Sequence, residues 1–240
     1  EKLAADINVI FTTPSHHCPT AATMPLSRRK LLLAKAQELN AIIVEDDYEF
    51  EMSFLEPALP ALKSLDNDGR VIYVGSFSKS LFPGMRLGYL VGPAPFIKEA
   101  RALRASVLRH PPGHIQRTAA YFLSLGHYDA LIKRMSKQYE ERYLEMEKSL
   151  TKFDLKIAGK AQHGGSSFWV ETPKCTNAVK LAQKLLEMDV VIEPGDPFFV
   201  GENYPKNFIR LAYSSISTNK IAAGIELIAE AISDTGPITA

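Results

Sequence analysis

Cysteine is nearly absent. Only Cys18 and Cys175 occur among 240 residues, far apart in sequence. Two distant thiols build neither a disulfide framework nor a zinc site, which need more ligands at tighter spacing, and they fit a reducing cytoplasm. Charge of one sign is also lacking. The 28 basic and 27 acidic side chains leave a net charge of +1, so the chain carries none of the basic excess that marks a nucleic-acid surface. No uninterrupted apolar run approaches the roughly 18–20 residues of a membrane span. No basic stretch followed by an apolar core opens the sequence, and no secretory signal is expected. Internal repeats and low-complexity tracts are missing too. What remains is 46% apolar and 23% charged, the balance of a soluble globular protein large enough for one large core or two modest ones.

Short apolar, β-rich runs come first. NVIFT at 8–12 reads as a buried strand. Ser27 is expected to cap a helix over RRKLLLAKAQELN, whose apolar residues recur at helical spacing. AIIV at 41–44, VIYVG at 71–75 and LGYLV at 87–91 read as three more strands. The pattern predicts an α/β unit with a largely parallel sheet covered on both faces. From 116 to 153 the chain reads as mostly helical with a break near Gly126, and its charged half as one long amphipathic helix. A smaller α/β region follows, with strands at 155–157, 167–171 and 208–212 and helices at 178–188 and 220–232. The single tryptophan, Trp169, is expected in its core. The domain boundaries expected are 1–115 for a part of a large domain, 116–153 for connecting helices and 154–240 for a small C-terminal domain.

Ligands of open α/β sheets sit beyond the carboxyl ends of the strands. Two predicted strands deliver polar residues there. One runs into Glu45-Asp46-Asp47-Tyr48, the other into Ser76-Phe77-Ser78-Lys79-Ser80 and then Phe82-Pro83-Gly84-Met85-Arg86. Taken singly, an Asp after a strand is usually a turn or cap and a Lys in a serine-rich loop a solvated charge. Together at neighbouring strand ends, acid, phenol, hydroxyls, amine and guanidinium could converge on a small anionic heterocycle. Arg210 sits in an otherwise apolar strand, FIRLA, and needs a partner there. That partner is either a carboxylate of the fold or one of a ligand. His16, His17 and His110 have no acidic or cysteine companions at metal spacing, so no metal site is expected.

These segments carry a resemblance. SFSKSLFPGMRLGY resembles the lysine segment of fold-type I pyridoxal-phosphate (PLP) enzymes, and AIIVEDDYEFE resembles their aspartate-tyrosine segment. TTPSHHCPTAATM resembles the segment that usually reads Asn-Pro-Thr-Gly, and FIRLAYS the strand with the carboxylate-binding arginine. The four occur in the family's order across essentially the whole chain. Ser-His-His-Cys-Pro-Thr, Glu-Asp-Asp-Tyr-Glu and Arg-His-Pro-Pro-Gly-His are similar to the aminotransferase-like domain of MocR-type bacterial transcription regulators, in which a winged-helix DNA-binding domain precedes this fold.

The resemblance implies fold type I, with part of the large domain and a smaller C-terminal α/β domain. It implies PLP as cofactor, held as a Schiff base on Lys79. Burial and a nearby cationic centre are expected to keep that amine neutral. Asp46, two residues before the tyrosine, is the implied partner of the pyridine nitrogen, in preference to Asp47. Tyr48 would donate to the ring's phenolic oxygen. Ser76, Ser78 and Arg86 would hold the phosphate, which suits a dianion; for Arg86 a surface salt bridge is the alternative. Arg210 would take the carboxylate of an amino-acid substrate or effector.

Two positions depart from the family. Cys18 stands where most family enzymes carry the asparagine that touches the phenolic oxygen, and a thiol is a weaker donor. Ala21 replaces a glycine. The implied partners are a small amine or amino-acid effector, a second copy in a homodimer, and DNA only through a domain absent from this chain, in the cytoplasm and with no membrane. The family's large domain begins upstream, so the chain reads as a C-terminal part, and half a sheet would leave apolar surface exposed. Three functions are compatible: an effector-sensing regulator domain, a working class I/II aminotransferase, and a decayed domain that has lost its cofactor. Intact Asp46, Tyr48, Lys79 and Arg86 speak against the third.

Overall fold

The computed structural model describes residues 7–159 and 161–234. These divide into two compact units, 7–17 with 23–53 and 57–135, and 18–22 with 54–56, 136–159 and 161–234.

The first unit is built on a four-stranded sheet in the order β1 (Val9–Thr12), β2 (Ile42–Asp47), β3 (Val71–Ser76), β4 (Gly88–Val91). The first three strands run parallel and β4 is antiparallel to β3. The reversal follows from chain length. Eleven residues separate β3 from β4 without an α-helix among them, which returns a strand beside its neighbour but falls short of a parallel crossover. Helices α1 (Leu26–Glu38) and α2 (Leu62–Leu65) contribute to a core of Ala36, Ala41, Ile43, Leu62 and Val71, flanked by Ile10, Leu32 and Leu33.

Among the described residues the sheet is covered on one face, not on both as the apolar strands led us to expect. Val9 and Phe11 pair with Ile42 and Val44 in register, and Leu90 with Val74. On this face Phe11 is 77% exposed, and Val9 and Leu90 are also exposed. The helical cover lies on the side of Ile43 and Val71.

Helix α1 starts one residue before the expected cap. Pro25, with φ −61°, precedes it and accepts the Arg29 N–H at 3.0 Å, so Ser27 lies inside the helix. Helix α3 (Ala94–Leu108) was not expected; Pro93 and Pro95 at its start were one available signal. Helices α4 (Gly113–Ser124) and α5 (His127–Lys152) flank the anticipated break, where Gly126 has φ 75°.

Gly75 on β3 lies under the ring of its cross-strand partner Tyr89; an added Cβ would fall 2.2 Å from the Tyr89 Cζ. Gly75→Ala must therefore expel that ring. We expect a loss of about 1–3 kcal/mol, read as a lower urea midpoint, and Tyr89→Ala in the same chain should relieve part of it.

The second unit holds an antiparallel sheet in the order β5 (Lys156–Ile157), β6 (Ser167–Glu171), β8 (Phe208–Ala212), β7 (Glu193–Pro194). Helices α6 (Ala178–Leu186) and α7 (Thr218–Ser233) pack on each other. The Asn177 side chain caps α6 by accepting the Lys180 N–H at 3.1 Å. Leu181, Leu185, Ile221, Ile225 and Ile228 from the helices, and Phe168, Val170, Ile209 and Leu211 from the sheet, are buried. Trp169 is buried as expected. Among the described residues no helix is long and apolar enough to cross a membrane.

Candidate cofactor site

Parallel strands β2 and β3 end side by side, with Asp46 opposite Val74 and Asp47 opposite Gly75. Side chains alternate across a strand, so Asp46 shares a face with Val74 and Ser76, while Glu45 and Asp47 point to the other. The other face is occupied. Glu45 is fully buried and accepts the backbone N–H groups of Leu62 and Lys63 at 2.7 and 2.8 Å, capping α2. Asp47 is buried and accepts from the Tyr73 hydroxyl at 3.3 Å. Asp46 is the exposed acid of the three, and partial burial raises its carboxyl above its ordinary value.

Burial also raises the carboxyls of Glu45 and Asp47, against the hydrogen bonds they accept. An acid raised in the folded state holds its proton where the unfolded chain has released it. Its contribution to stability therefore falls as pH rises above the ordinary carboxylate value, about pH 4. Asp47→Asn should flatten that decline as pH rises above the ordinary carboxylate value, about pH 4, as read by urea unfolding at each pH.

Tyr48 follows β2, and its hydroxyl donates to the His16 carbonyl at 3.1 Å. Ser76 ends β3, and its Oγ accepts the Ser78 N–H at 3.1 Å, folding the serine pair into a tight turn. Arg86 is exposed in the left-handed region, φ 50°, just after the Pro83–Met85 turn of 3-10 helix. Lys79 is not buried as expected, and a carboxylate stands beside it. Its side chain is 43% exposed, and Nζ lies 3.5 Å from the Oε1 of Glu49, a buried carboxylate. Just beyond Lys79, the Ser80 Oγ is 2.9 Å from the Tyr128 hydroxyl, which also bonds Glu51. Burial, then the bond to Glu51, raises the Tyr128 hydroxyl well above its ordinary value.

The structure thus gathers Asp46, Tyr48, Ser76, Ser78, Lys79 and Arg86 in the first unit, on and just after two adjacent strand ends. Cys18 and Arg210 belong to the second unit. Cys18 is exposed, in a cis peptide bond to Pro19, and Ala21 takes φ 53°, the left-handed conformation a glycine adopts freely. The Arg210 Nε donates to the Ser167 Oγ at 3.0 Å and Nη1 to Glu193 at 2.7 Å. A carboxylate of the fold is therefore one partner of this arginine.

Sequence reasoning missed three residues. Glu49 was visible in the Asp-Asp-Tyr-Glu motif. Glu193 lies in a two-residue strand too short to show a pattern. Arg29 is fully buried and donates to the carbonyls of Met24, Pro60 and Pro14 at 3.0, 2.9 and 2.9 Å. Burial lowers its pKa, while Glu45 and Asp47 raise it. Within a polar, amphipathic helix nothing distinguished it from a solvated charge.

Comparison with known proteins identifies the family and the fold. The model of the class I and II aminotransferase family matches residues 1–228, and the chain belongs to that family. It is 56% identical over 231 residues to the HTH-type transcriptional regulator TauR of Rhodobacter capsulatus, covering 96% of this chain and 48% of that protein. The kynurenine aminotransferase of Pyrococcus horikoshii, solved in complex with PMP, superposes with a TM-score of 0.87 at 32% identity, over 95% of this chain and 56% of that one. LysN, the α-aminoadipate aminotransferase of Thermus thermophilus, solved with N-(5'-phosphopyridoxyl)-L-leucine, gives 0.85 at 30% identity, over 94% and 58%. The chain thus spans about half the length of the proteins it matches. The fold is that of the PLP-dependent aminotransferases, α/β with a mixed, mostly parallel sheet in the first unit.

Proposed function

We propose that this chain is the cofactor-binding part of an effector-sensing domain in a MocR-type transcription regulator, with PLP held covalently on Lys79. The observation that carries the reading is the placement of an acid, a phenol, two serines, a lysine and an arginine at two neighbouring strand ends, in a chain 56% identical to a regulator.

The residues present fit the group. Ser76 and Ser78 form a compact hydroxyl turn, and Arg86 stands exposed after it, three donors suited to a phosphate dianion. Asp46 points away from the buried acids and is open to a ring nitrogen. Its raised carboxyl would be returned to the charged form by a protonated pyridine. Tyr48 holds its hydroxyl on a backbone carbonyl and would turn it to the phenolic oxygen. Lys79 must leave Glu49 and lose a proton before its amine can bond carbon. When bound, PLP supplies an electrophilic carbon for amines and an electron sink.

The reading also takes 1–115 as part of the large domain, 116–153 as connecting helices and 154–240 as the small domain. It places a homodimer in the cytoplasm, a small amine or amino acid as effector, its carboxylate on Arg210, and DNA contact through a helix-turn-helix domain outside this chain. The thiol of Cys18 favours sensing over turnover, since it is a weaker hydrogen-bond donor than the family's asparagine.

A working aminotransferase is the second reading, favoured by the 32% identity to a solved kynurenine aminotransferase and by the retained lysine, aspartate and arginine. The two separate when full-length protein loaded with PLP is mixed with amino acids and a 2-oxo acid. A sensor shifts its absorption band and then stops. Sustained formation of a new amino acid over many turnovers would establish the enzyme instead.

A further inference from the structure

Glu193 and Arg210 face each other directly across the β7–β8 ladder, and Trp169 faces Arg210 from β6. The three therefore share one face of the second unit's sheet. The two ends of the Glu193–Arg210 pair are unequally held. Arg210 is 16% exposed and anchored through Nε by the Ser167 hydroxyl. Glu193 is 47% exposed and belongs to a strand of only two residues, Glu193–Pro194. The guanidinium is the fixed member and the carboxylate the movable one at the rim.

A guanidinium holds a carboxylate best as a fork, by two parallel N–H···O bonds. Here Nη1 already donates to the Glu193 Oε2 at 2.7 Å. An incoming carboxylate either shares the guanidinium with a second negative charge or displaces Glu193 into solvent. Half-exposed, Glu193 loses little solvation by holding this contact and can leave without opening the core.

We propose that Glu193 is a built-in competitor at the Arg210 anion site: it occupies the guanidinium when no ligand is present, must swing out for a carboxylate to bind, and thereby sets the affinity threshold for the effector. This rests on the reading of Arg210 as the carboxylate-binding residue. Glu193 touches no reacting atom; it acts on the ligand through Arg210.

Trp169 provides the readout, being the only tryptophan in the chain and the cross-strand neighbour of Arg210. Acetate is the probe, titrated at fixed ionic strength against tryptophan fluorescence, with no cofactor required. We expect Glu193→Gln to bind acetate about three- to tenfold more tightly than the unaltered chain, the range set by releasing one partly exposed ion pair. Glu193→Ala repeats the test without the amide, and Arg210→Gln should abolish the saturable change. Equal or weaker acetate affinity in Glu193→Gln, with only a lowered melting temperature, would make Glu193 a structural partner and overturn the proposal. The reading of Arg210 would survive that result. No saturable change in the unaltered chain and Glu193→Gln alike would overturn both.

Discussion

Arg29→Ala is expected to destabilise the first unit by about 3–5 kcal/mol, the cost of breaking a buried, hydrogen-bonded charge from one side. The side chain is fully buried and satisfies three loop carbonyls, those of Pro14, Met24 and Pro60. Pro14 belongs to the segment leading to His16, whose carbonyl holds Tyr48. Pro60 belongs to the segment leading into α2, whose N-terminus Glu45 caps. Removing the guanidinium strands three acceptors and leaves Glu45 and Asp47 without their cationic neighbour. At about 2–4 °C per kcal/mol for a chain of this size, the melting temperature should fall by roughly 6–20 °C. Arg29→Lys keeps the charge but not the fork that reaches three carbonyls, and should recover only part of the loss. An Arg29→Ala chain within about 1 kcal/mol of the unaltered one would show that these loops are held by something else.

The second large effect is on the cofactor. Lys79→Ala should abolish the band at roughly 410–430 nm that PLP gives when joined to a lysine. The stability change should stay small by comparison. Lys79 is 43% exposed, but Glu49 is buried and loses that cation, so a loss of about 1–3 kcal/mol is expected. Lys79→Arg is the cleaner variant: it keeps a cation for Glu49 and removes the primary amine. The account requires Lys79→Arg to lose the band while its melting temperature stays near that of the unaltered chain. Loss of the band in Lys79→Ala but not in Lys79→Arg would point to the ion pair rather than the amine.

The sheet of the first unit was legible because parallel strands buried on a face are written as short β-branched runs, as at 41–44 and 71–75. The small unit was legible for a similar reason, since β6 and β8 alternate cleanly with their helices. The direction of β4 was not legible, because an apolar run says nothing of its orientation; the short connection decides that. Helix α3 was missed although Phe96, Ala100, Leu103 and Val107 recur at helical spacing in the sequence; in the structure it buries none of its residues. The strand ends that carry Asp46, Tyr48 and Lys79 could be read from motif and position. The partners they have in the structure could not. Lys79 with Glu49 and Arg210 with Glu193 are contacts between residues 30 and 17 positions apart, set by strand register and turns rather than by local pattern. Arg29 was hidden most completely, since a buried arginine that serves loop carbonyls leaves no trace in sequence.

The most direct test is to incubate the full-length protein with PLP, reduce with borohydride, digest, and locate the phosphopyridoxyl group by mass spectrometry. The account predicts that the group is found on Lys79, in the peptide that contains Ser76 and Ser78, and is absent from that peptide in Lys79→Arg. Modification spread over surface lysines with Lys79 untouched, or no modification at all, would contradict it.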